Sequence, residues 1–315
     1  MNLTAAFFKL IRWLNLVFIA LTQVLFYYFI LPFVYRDKYV EEATFSQSNF
    51  FLLLIASVCI AAGGYIINDY FDLNIDMVNK PSKLIIDKHI KRRWAIVFHI
   101  LLSSIGLLLS IYVGYKMGNF YVPFFNLVAI GALWFYSTIL KRKLLIGNIL
   151  ISLLTAWVIM VIAVAEYKYH YPRTIAAGDY ATPRLLKLSF LYAGFAFIIS
   201  LIREVVKDME DMEGDAKYGC KTMPLVWGVP VAKVFTAVWV VVLIGAIVIL
   251  QFYVFQLGWW ASVFYSIILI IVPLIWVLKK LYTAQTSGQF HQLSSAIKFI
   301  MLSGILSMVF FRIYL

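Results

Sequence analysis

The feature that most limits what this chain can fold into is a succession of about nine apolar stretches, near residues 13–35, 48–68, 94–114, 120–140, 144–165, 185–205, 231–253, 257–278 and 294–313. Each approaches the roughly 20 apolar residues that an α-helix needs to cross a bilayer core. The rest of the composition agrees. Of 315 residues, 63% are hydrophobic and 13% charged, too few charges to cover the surface of a soluble domain. The expected fold is an all-α integral membrane protein, about nine transmembrane helices in one bundle with a central cavity, with residues 1–315 forming a single membrane-embedded domain. The first apolar run follows Lys9 and Arg12, is too long for a signal-peptide core and lacks a clear small-residue cleavage site, so it is expected to be a retained span. Pro32, Pro123 and Pro273 fall inside spans, where neighbouring helices can compensate for lost backbone bonds. Cys59, in an apolar run, and Cys220, in a polar loop, support no disulfide framework.

Orientation follows from Lys and Arg. With the N-terminus inside, the inside segments hold Lys9 and Arg12, then Lys80, Lys83, Lys88, Lys91, Arg92 and Arg93. They also hold Lys141, Arg142 and Lys143, then Arg203, Lys207, Lys217, Lys221 and Lys233, and finally Lys279, Lys280 and Lys298. That is 19 of the 27 basic residues, which predicts a cytoplasmic N-terminus and, after nine spans, an outside C-terminus. The net charge of +12 is then mostly a topology signal and an attraction to the membrane surface, and gives no reason to invoke nucleic acid.

The acids are distributed differently. Four of the 15 Asp and Glu lie in residues 69–87 and six in 204–215. Asp69, Asp72 and Asp76, and again Asp208, Asp211 and Asp215, are spaced i, i+3, i+7, which on a helix puts all three on one face. The clusters follow the second and sixth spans, so helix parity predicts that both lie on one side of the membrane. The repeat of the spacing after four helices suggests an internally duplicated bundle. Three carboxylates stacked on one face repel each other, which raises their pKa values or demands cations. Mg²⁺ suits them, because it keeps waters and binds one or two carboxylates together with substrate phosphates. One such cluster alone is equally well a solvated acidic loop; two matched clusters are not. Zinc is disfavoured, since His89, His99, His170 and His291 are scattered and no Cys–His spacing fits. Lys80 and Lys83 follow the first cluster, Arg203 and Lys207 precede the second, and Lys141-Arg142-Lys143 ends the fourth span. The positive-inside bias explains most of these. Arg203, at a helix end one turn from Lys207 and Asp208, is the clearest exception.

Asn68-Asp69-x-x-Asp72-x-x-x-Asp76 and Asp208-x-x-Asp211-x-x-x-Asp215 resemble the paired Asp-rich motifs of UbiA-type intramembrane prenyltransferases. Their contexts are similar too. Gly63-Gly64-Tyr65-Ile66-Ile67 leads into the first, Arg203-Glu204-Val205-Val206-Lys207 into the second, and Tyr136-Ser137-x-x-Leu140-Lys141-Arg142 followed by Gly147-Asn148 looks like the family signature at the end of the fourth helix. The similarity spans most of the chain. It departs where the family often has Asn-Lys-Pro-x-Arg-Pro and this chain has Asn79-Lys80-Pro81-Ser82-Lys83-Leu84, which keeps the charge but not the bidentate fork. It departs again where Arg-Pro-x-Asn is replaced by Arg12-Trp13-Leu14-Asn15.

The resemblance implies a membrane enzyme that transfers a prenyl group from a polyprenyl diphosphate to a hydrophobic or amphipathic acceptor. Mg²⁺ would be held by Asn68, Asp72, Asp76, Asp208, Asp211 and Asp215. Arg203, Lys207, Lys83 and Lys141 would neutralise the leaving diphosphate, and Asp69 would orient or deprotonate the acceptor. Arg12, Asn15, Lys80, Lys83, Tyr136 and Arg142 would contact substrate. The motif contexts lean toward a glycerol-phosphate ether-lipid acceptor. A quinone-precursor aromatic acid is the alternative within the class, and a divalent-cation transporter the alternative outside it. No obligate protein partner is implied. Acids at helix ends on one side, with none paired at mid-membrane, argue against the transporter.

Overall fold

The computed structural model describes residues 2–35, 45–166 and 181–315, apart from the side chains of Lys83 and of residues 181–182. Among these residues there is no β-strand, and nine helices are long and apolar enough to cross a membrane. They are Trp13–Val34, Gln47–Asn79, Arg92–Met117, Tyr121–Thr138, Ile146–Glu166, Pro183–Glu210, Val229–Gln256, Trp260–Thr283 and Ser287–Ile313, called here the first to ninth spans. The chain is an integral, multi-pass membrane protein. Large apolar side chains on the spans, such as Ile249 and Phe252, are exposed, as a lipid-facing surface requires.

The helices extend beyond the apolar stretches where the sequence turns polar. The second span runs on from the stretch ending near residue 68 to Asn79, and the sixth continues to Glu210, so the first Asp-rich segment and the start of the second are helical rather than loops. The ninth begins at Ser287, before its apolar stretch. A capping box starts it: the Thr286 hydroxyl accepts from Gln289 N at 3.3 Å, and the Gln289 side chain accepts from Thr286 N at 3.1 Å.

The prolines are accommodated in two ways. Pro123 is the third residue of the fourth span, where its missing N–H leaves no intrahelical bond unmade. Pro32 and Pro273 each lie just after a π-helical turn, Phe26–Ile30 and Ile267–Ile271. In each the peptide N–H before the proline reaches back five residues, Leu31 to Phe26 and Val272 to Ile267. The local widening absorbs the ring within the helix itself.

The chain divides into two compact units, Met1–Leu140 with Trp157–Leu191, and Lys141–Ala156 with Tyr192–Leu315. In the first, Ala6, Leu10, Ile11 and Leu16 pack against Ile66 and Leu73 of the second span and against Ile86, Ile90 and Ala95. This core seats the N-terminal helix Leu3–Leu10 beside the first acidic motif. In the second unit, Ile199, Ile202, Val206 and Met209 form one face of the sixth span and pack against residues of the last three spans, among them Val240, Leu274, Phe290, Leu293 and Ile297. The acids at 204, 208 and 211 lie off that face.

Between the second and third spans, glycine sets the approach. A Cβ on Gly106 would lie 2.6 Å from Ile60 Cγ1 and 2.9 Å from the Ala56 carbonyl oxygen. Close backbone approach through small residues is a main source of helix association in lipid. A polar chain reinforces it: Trp157 Nε1 donates to Asn126 Oδ1 (2.8 Å), Asn126 Nδ2 to Ser110 Oγ (2.8 Å), and Ser110 Oγ to the Gly106 carbonyl (2.7 Å). Gly106→Ala is expected to destabilise the protein by about 1–3 kcal/mol, seen as a lower thermal unfolding midpoint in detergent. An unchanged midpoint would mean that the spans do not meet there.

Candidate functional site

The first acidic motif rides on the polar extension of the second span. Asn68 and Asp72 are one turn apart, and Asn68 Nδ2 donates to Asp72 Oδ2 at 2.7 Å. An ionised carboxylate only accepts, so this contact fixes which end of the amide faces it. The other end, Asn68 Oδ1, is buried and has no hydrogen-bond partner. A buried carbonyl oxygen left open on a residue whose amide nitrogen binds a carboxylate is a donor of the kind a hard cation takes. Asp76, one turn on, and the Lys80 that caps the helix are both half-buried, and Lys80 N donates to the Asp76 carbonyl at 2.8 Å.

Asp69 has a different partner. Arg12 Nη2 donates to Asp69 Oδ1 at 2.5 Å, and the guanidinium lies 5.3 Å from the centroid of the Tyr65 ring. Arg12 breaks the chain between Leu3–Leu10 and the first span, in a left-handed conformation (φ 51°, ψ 53°) that costs a non-glycine residue of order 1–3 kcal/mol. The bend is held by Asn15 N donating to the Arg12 carbonyl at 2.7 Å. The charge of Asp69 raises the Arg12 pKa further above its ordinary value, so the guanidinium stays charged.

In the second motif the sixth span ends at Glu210, Asp211 makes a bend, and a short helix Met212–Lys217 follows. Helical bonding carries across the bend: Asp211 N donates to the Lys207 carbonyl (2.9 Å) and Asp215 N to the Asp211 carbonyl (3.2 Å). The i, i+3, i+7 face is therefore bent rather than straight. Asp208 Oδ2 accepts from Asn148 Nδ2 at 2.8 Å. Arg203 Nη1 donates to Glu204 at 3.1 Å, while its Nε is buried without a partner. A cationic donor held open among acids is suited to an anionic ligand. Glu210 turns away from the other acids: it accepts from His291 at 2.8 Å, and its carbonyl accepts from Ser287 Oγ at 2.9 Å, which ties the sixth span to the ninth.

The remaining expected residues are placed as follows. Lys141 and Arg142 belong to a 3-10 turn, Leu140–Arg142, with Lys141 half-buried and Arg142 exposed. The Arg142 carbonyl accepts from Lys221 N at 2.8 Å. Tyr136 is half-buried on the fourth span, and Lys207 is half-buried one residue before Asp208. The side chain of Lys83 lies outside the described part of the structure. Sequence reasoning named Gly147-Asn148 only as context and gave Asn148 no role; nothing local shows that its partner comes 60 residues later. Glu204 and the Glu210–His291 pair were likewise unassigned.

Among the described residues no three His, Cys, Asp or Glu side chains converge as a closed metal cage. Mg²⁺ does not need such a cage, since phosphate oxygens and water complete its shell. The residues present fit Mg²⁺ on the evidence of the open Asn68 oxygen.

Nine apolar spans among the described residues, two acid motifs in the polar extensions of spans, and a buried Arg203 Nε left open mark a membrane protein with a polar site at its helix ends. The model of the UbiA prenyltransferase family matches residues 38–303, and the chain belongs to that family, as its motifs indicated. Prenyl transfer, the enzyme class expected from the sequence, is the activity for which the family is named. The digeranylgeranylglyceryl phosphate synthase of Methanothermobacter thermautotrophicus is 33% identical over 190 residues, which cover 59% of this chain and 60% of that protein. That of Sulfurisphaera tokodaii is 31% identical over 225 residues, covering 71% and 74%. The chain thus spans about three fifths of the length of the first relative and three quarters of the second. A UbiA homologue from Archaeoglobus fulgidus, solved with GPP and Mg²⁺, superposes with a TM-score of 0.53 over 96% of this chain and 99% of that one, at 15% identity. At that identity the likeness concerns the fold.

Proposed function

We propose that this protein transfers a prenyl group, of geranylgeranyl type, from its diphosphate to the glycerol hydroxyl of a geranylgeranylglyceryl phosphate-type lipid, in a Mg²⁺-dependent reaction. The observation that carries this reading is the pair of acidic motifs, each with a buried polar atom left open, the Asn68 oxygen in one and the Arg203 Nε in the other. The two named relatives support the acceptor.

In this reading Asn68, Asp72 and Asp76 of one motif and Asp208, Asp211 and Asp215 of the other would hold Mg²⁺ ions, which when bound supply charge that stabilises the departing diphosphate. Arg203, Lys207, Lys83 and Lys141 add donors and positive charge to that leaving group. Stabilisation concentrated there acts in the transition state, where it accelerates the chemistry. Loss of diphosphate leaves an allylic cation, which the acceptor hydroxyl captures. Asp69, oriented by Arg12, positions that hydroxyl or takes its proton. Arg12, Asn15, Lys80, Tyr136 and Arg142 bind the polar parts of the substrates. Residues 1–315 act as one membrane-embedded unit, with the N-terminus and both motifs cytoplasmic and the C-terminus outside, as the basic residues predict.

A panel of acceptors tests the assignment. Purified protein given labelled geranylgeranyl diphosphate and Mg²⁺ is expected to prenylate geranylgeranylglyceryl phosphate and to leave 4-hydroxybenzoate and dihydroxynaphthoate unmodified. Prenylation of an aromatic acid in preference to the glycerol phosphate lipid would replace the acceptor while keeping the reaction class.

A further inference from the structure

Aligning the motifs by spacing makes Asp69 the counterpart of Asp208, Asp72 of Asp211 and Asp76 of Asp215. Each first aspartate is held by a side chain from the start of the preceding span. Arg12, at the entry to the first span, holds Asp69 in the polar extension of the second. Asn148, in the first turn of the fifth span, holds Asp208 at the end of the sixth. The two holders occupy matching places in a repeated arrangement, but one is a cation and the other a neutral amide.

The difference has a chemical consequence. A guanidinium at 2.5 Å satisfies the charge of Asp69 and competes with any metal for it. An amide donates one hydrogen bond and brings no positive charge that would compete with a metal for Asp208. It also fixes the plane of that carboxylate, as outer-shell donors do for metal ligands. The Asn148 contact is rigidly supported. Asn148 is 8% exposed, its carbonyl accepts from Ser152 Oγ at 2.6 Å, and it follows a turn in which Leu145 is held at φ 59°. The same connection grips the far side of the motif. The Arg142 carbonyl accepts from Lys221 N, and the neighbouring Cys220 N donates to the Asp215 carbonyl at 2.9 Å. The turn from Lys141 to Asn148 therefore braces the second motif at both ends.

We infer that Asn148 is the positioning residue that keeps Asp208 available as a metal ligand, and that Arg12, in the corresponding place, withdraws Asp69 from the metal set. The inference rests on the proposed Mg²⁺-diphosphate site and assigns the unequal roles of the two first aspartates within it.

The test is a Mg²⁺ titration of the full-length protein in detergent, read by thermal shift with inorganic diphosphate present and, separately, by prenyl transfer. Asn148→Leu, which keeps a γ-branched side chain and loses the donor, is expected to raise the Mg²⁺ midpoint about 10- to 100-fold in both readouts. Its unfolding midpoint without Mg²⁺ should change little. Asn148→Ala should shift the Mg²⁺ midpoint in the same direction and serves if the leucine variant does not fold. Asp69→Asn should leave the Mg²⁺ midpoint of the thermal shift within about twofold of wild type, less than a tenfold step in affinity. If Asp208→Asn loses the Mg²⁺ response while both Asn148 variants keep the wild-type midpoint, the positioning role is wrong and the metal site stands. If Asp69→Asn shifts the midpoint as far as Asp208→Asn, the asymmetry is wrong. If Asp208→Asn itself keeps the wild-type response, the parent reading of Asp208 as a ligand fails.

Discussion

Asp72→Ala and Asp211→Ala are each expected to abolish prenyl transfer, a loss of about a thousandfold or more, while the protein still inserts in the membrane. The size follows from what each carboxylate does. A metal that neutralises a leaving diphosphate contributes several kcal/mol of transition-state stabilisation, and each 1.36 kcal/mol is a factor of ten in rate. In the first motif the change has a second cost, because Asp72 is the acceptor for Asn68 Nδ2, and the amide loses the contact that aims its open oxygen. In the second motif Asp211 sits at the bend between the sixth span and Met212–Lys217, where a substitution alters the direction of the ligand set as well as its charge. Neither residue belongs to the two buried apolar cores, so insertion and folding should survive. Turnover by membranes carrying each variant, normalised to protein content, checks this. Near-normal turnover in either would show that its motif is not needed for the reaction.

Arg203→Ala is expected to lower kcat/KM for the prenyl diphosphate by about 10²–10³-fold, the range found when one preorganised donor to a developing negative charge is removed. The Arg203 side chain is 24% exposed, its Nη1 is committed to Glu204, and its buried Nε has no partner. Burying a charged donor without a partner costs stability unless a ligand supplies the acceptor. Arg203→Lys should recover only part of the loss, because an ammonium keeps the charge but not the planar fork. Steady-state kinetics on both variants tell the cases apart. Equal recovery by lysine would reduce the role of Arg203 to its charge alone.

Much of this arrangement was legible in the sequence. Span length is set by bilayer thickness, so apolar stretches alone place nine helices, and the i, i+3, i+7 spacing of the acids marks one face of a helix wherever the helix continues. Two features escaped for physical reasons. The polar extensions of the second, sixth and ninth spans carry no apolar signal, and their helicity comes from continuation of a span already nucleated or from a cap such as Thr286. Pairings between distant residues, Arg12 with Asp69 and Asn148 with Asp208, depend on how spans pack and leave no trace in local spacing. The same packing pairs Glu210, acidic like its neighbours, with His291. Basic residues illustrate the opposite limit. Most satisfy the positive-inside bias, and only an unpaired buried donor such as the Arg203 Nε separates a working cation from a topological one.

The central claim is that the two acidic motifs serve a Mg²⁺-dependent departure of diphosphate from a prenyl donor. It is tested most directly by incubating the purified protein with labelled prenyl diphosphates and the acceptor panel, with Mg²⁺ and with excess chelator, and measuring both prenylated product and retained diphosphate. The account predicts product and diphosphate binding with Mg²⁺, loss of both with chelator, and recovery when Mg²⁺ is restored. Undiminished turnover in chelator would contradict it, as would the absence of both product and diphosphate binding under every pairing.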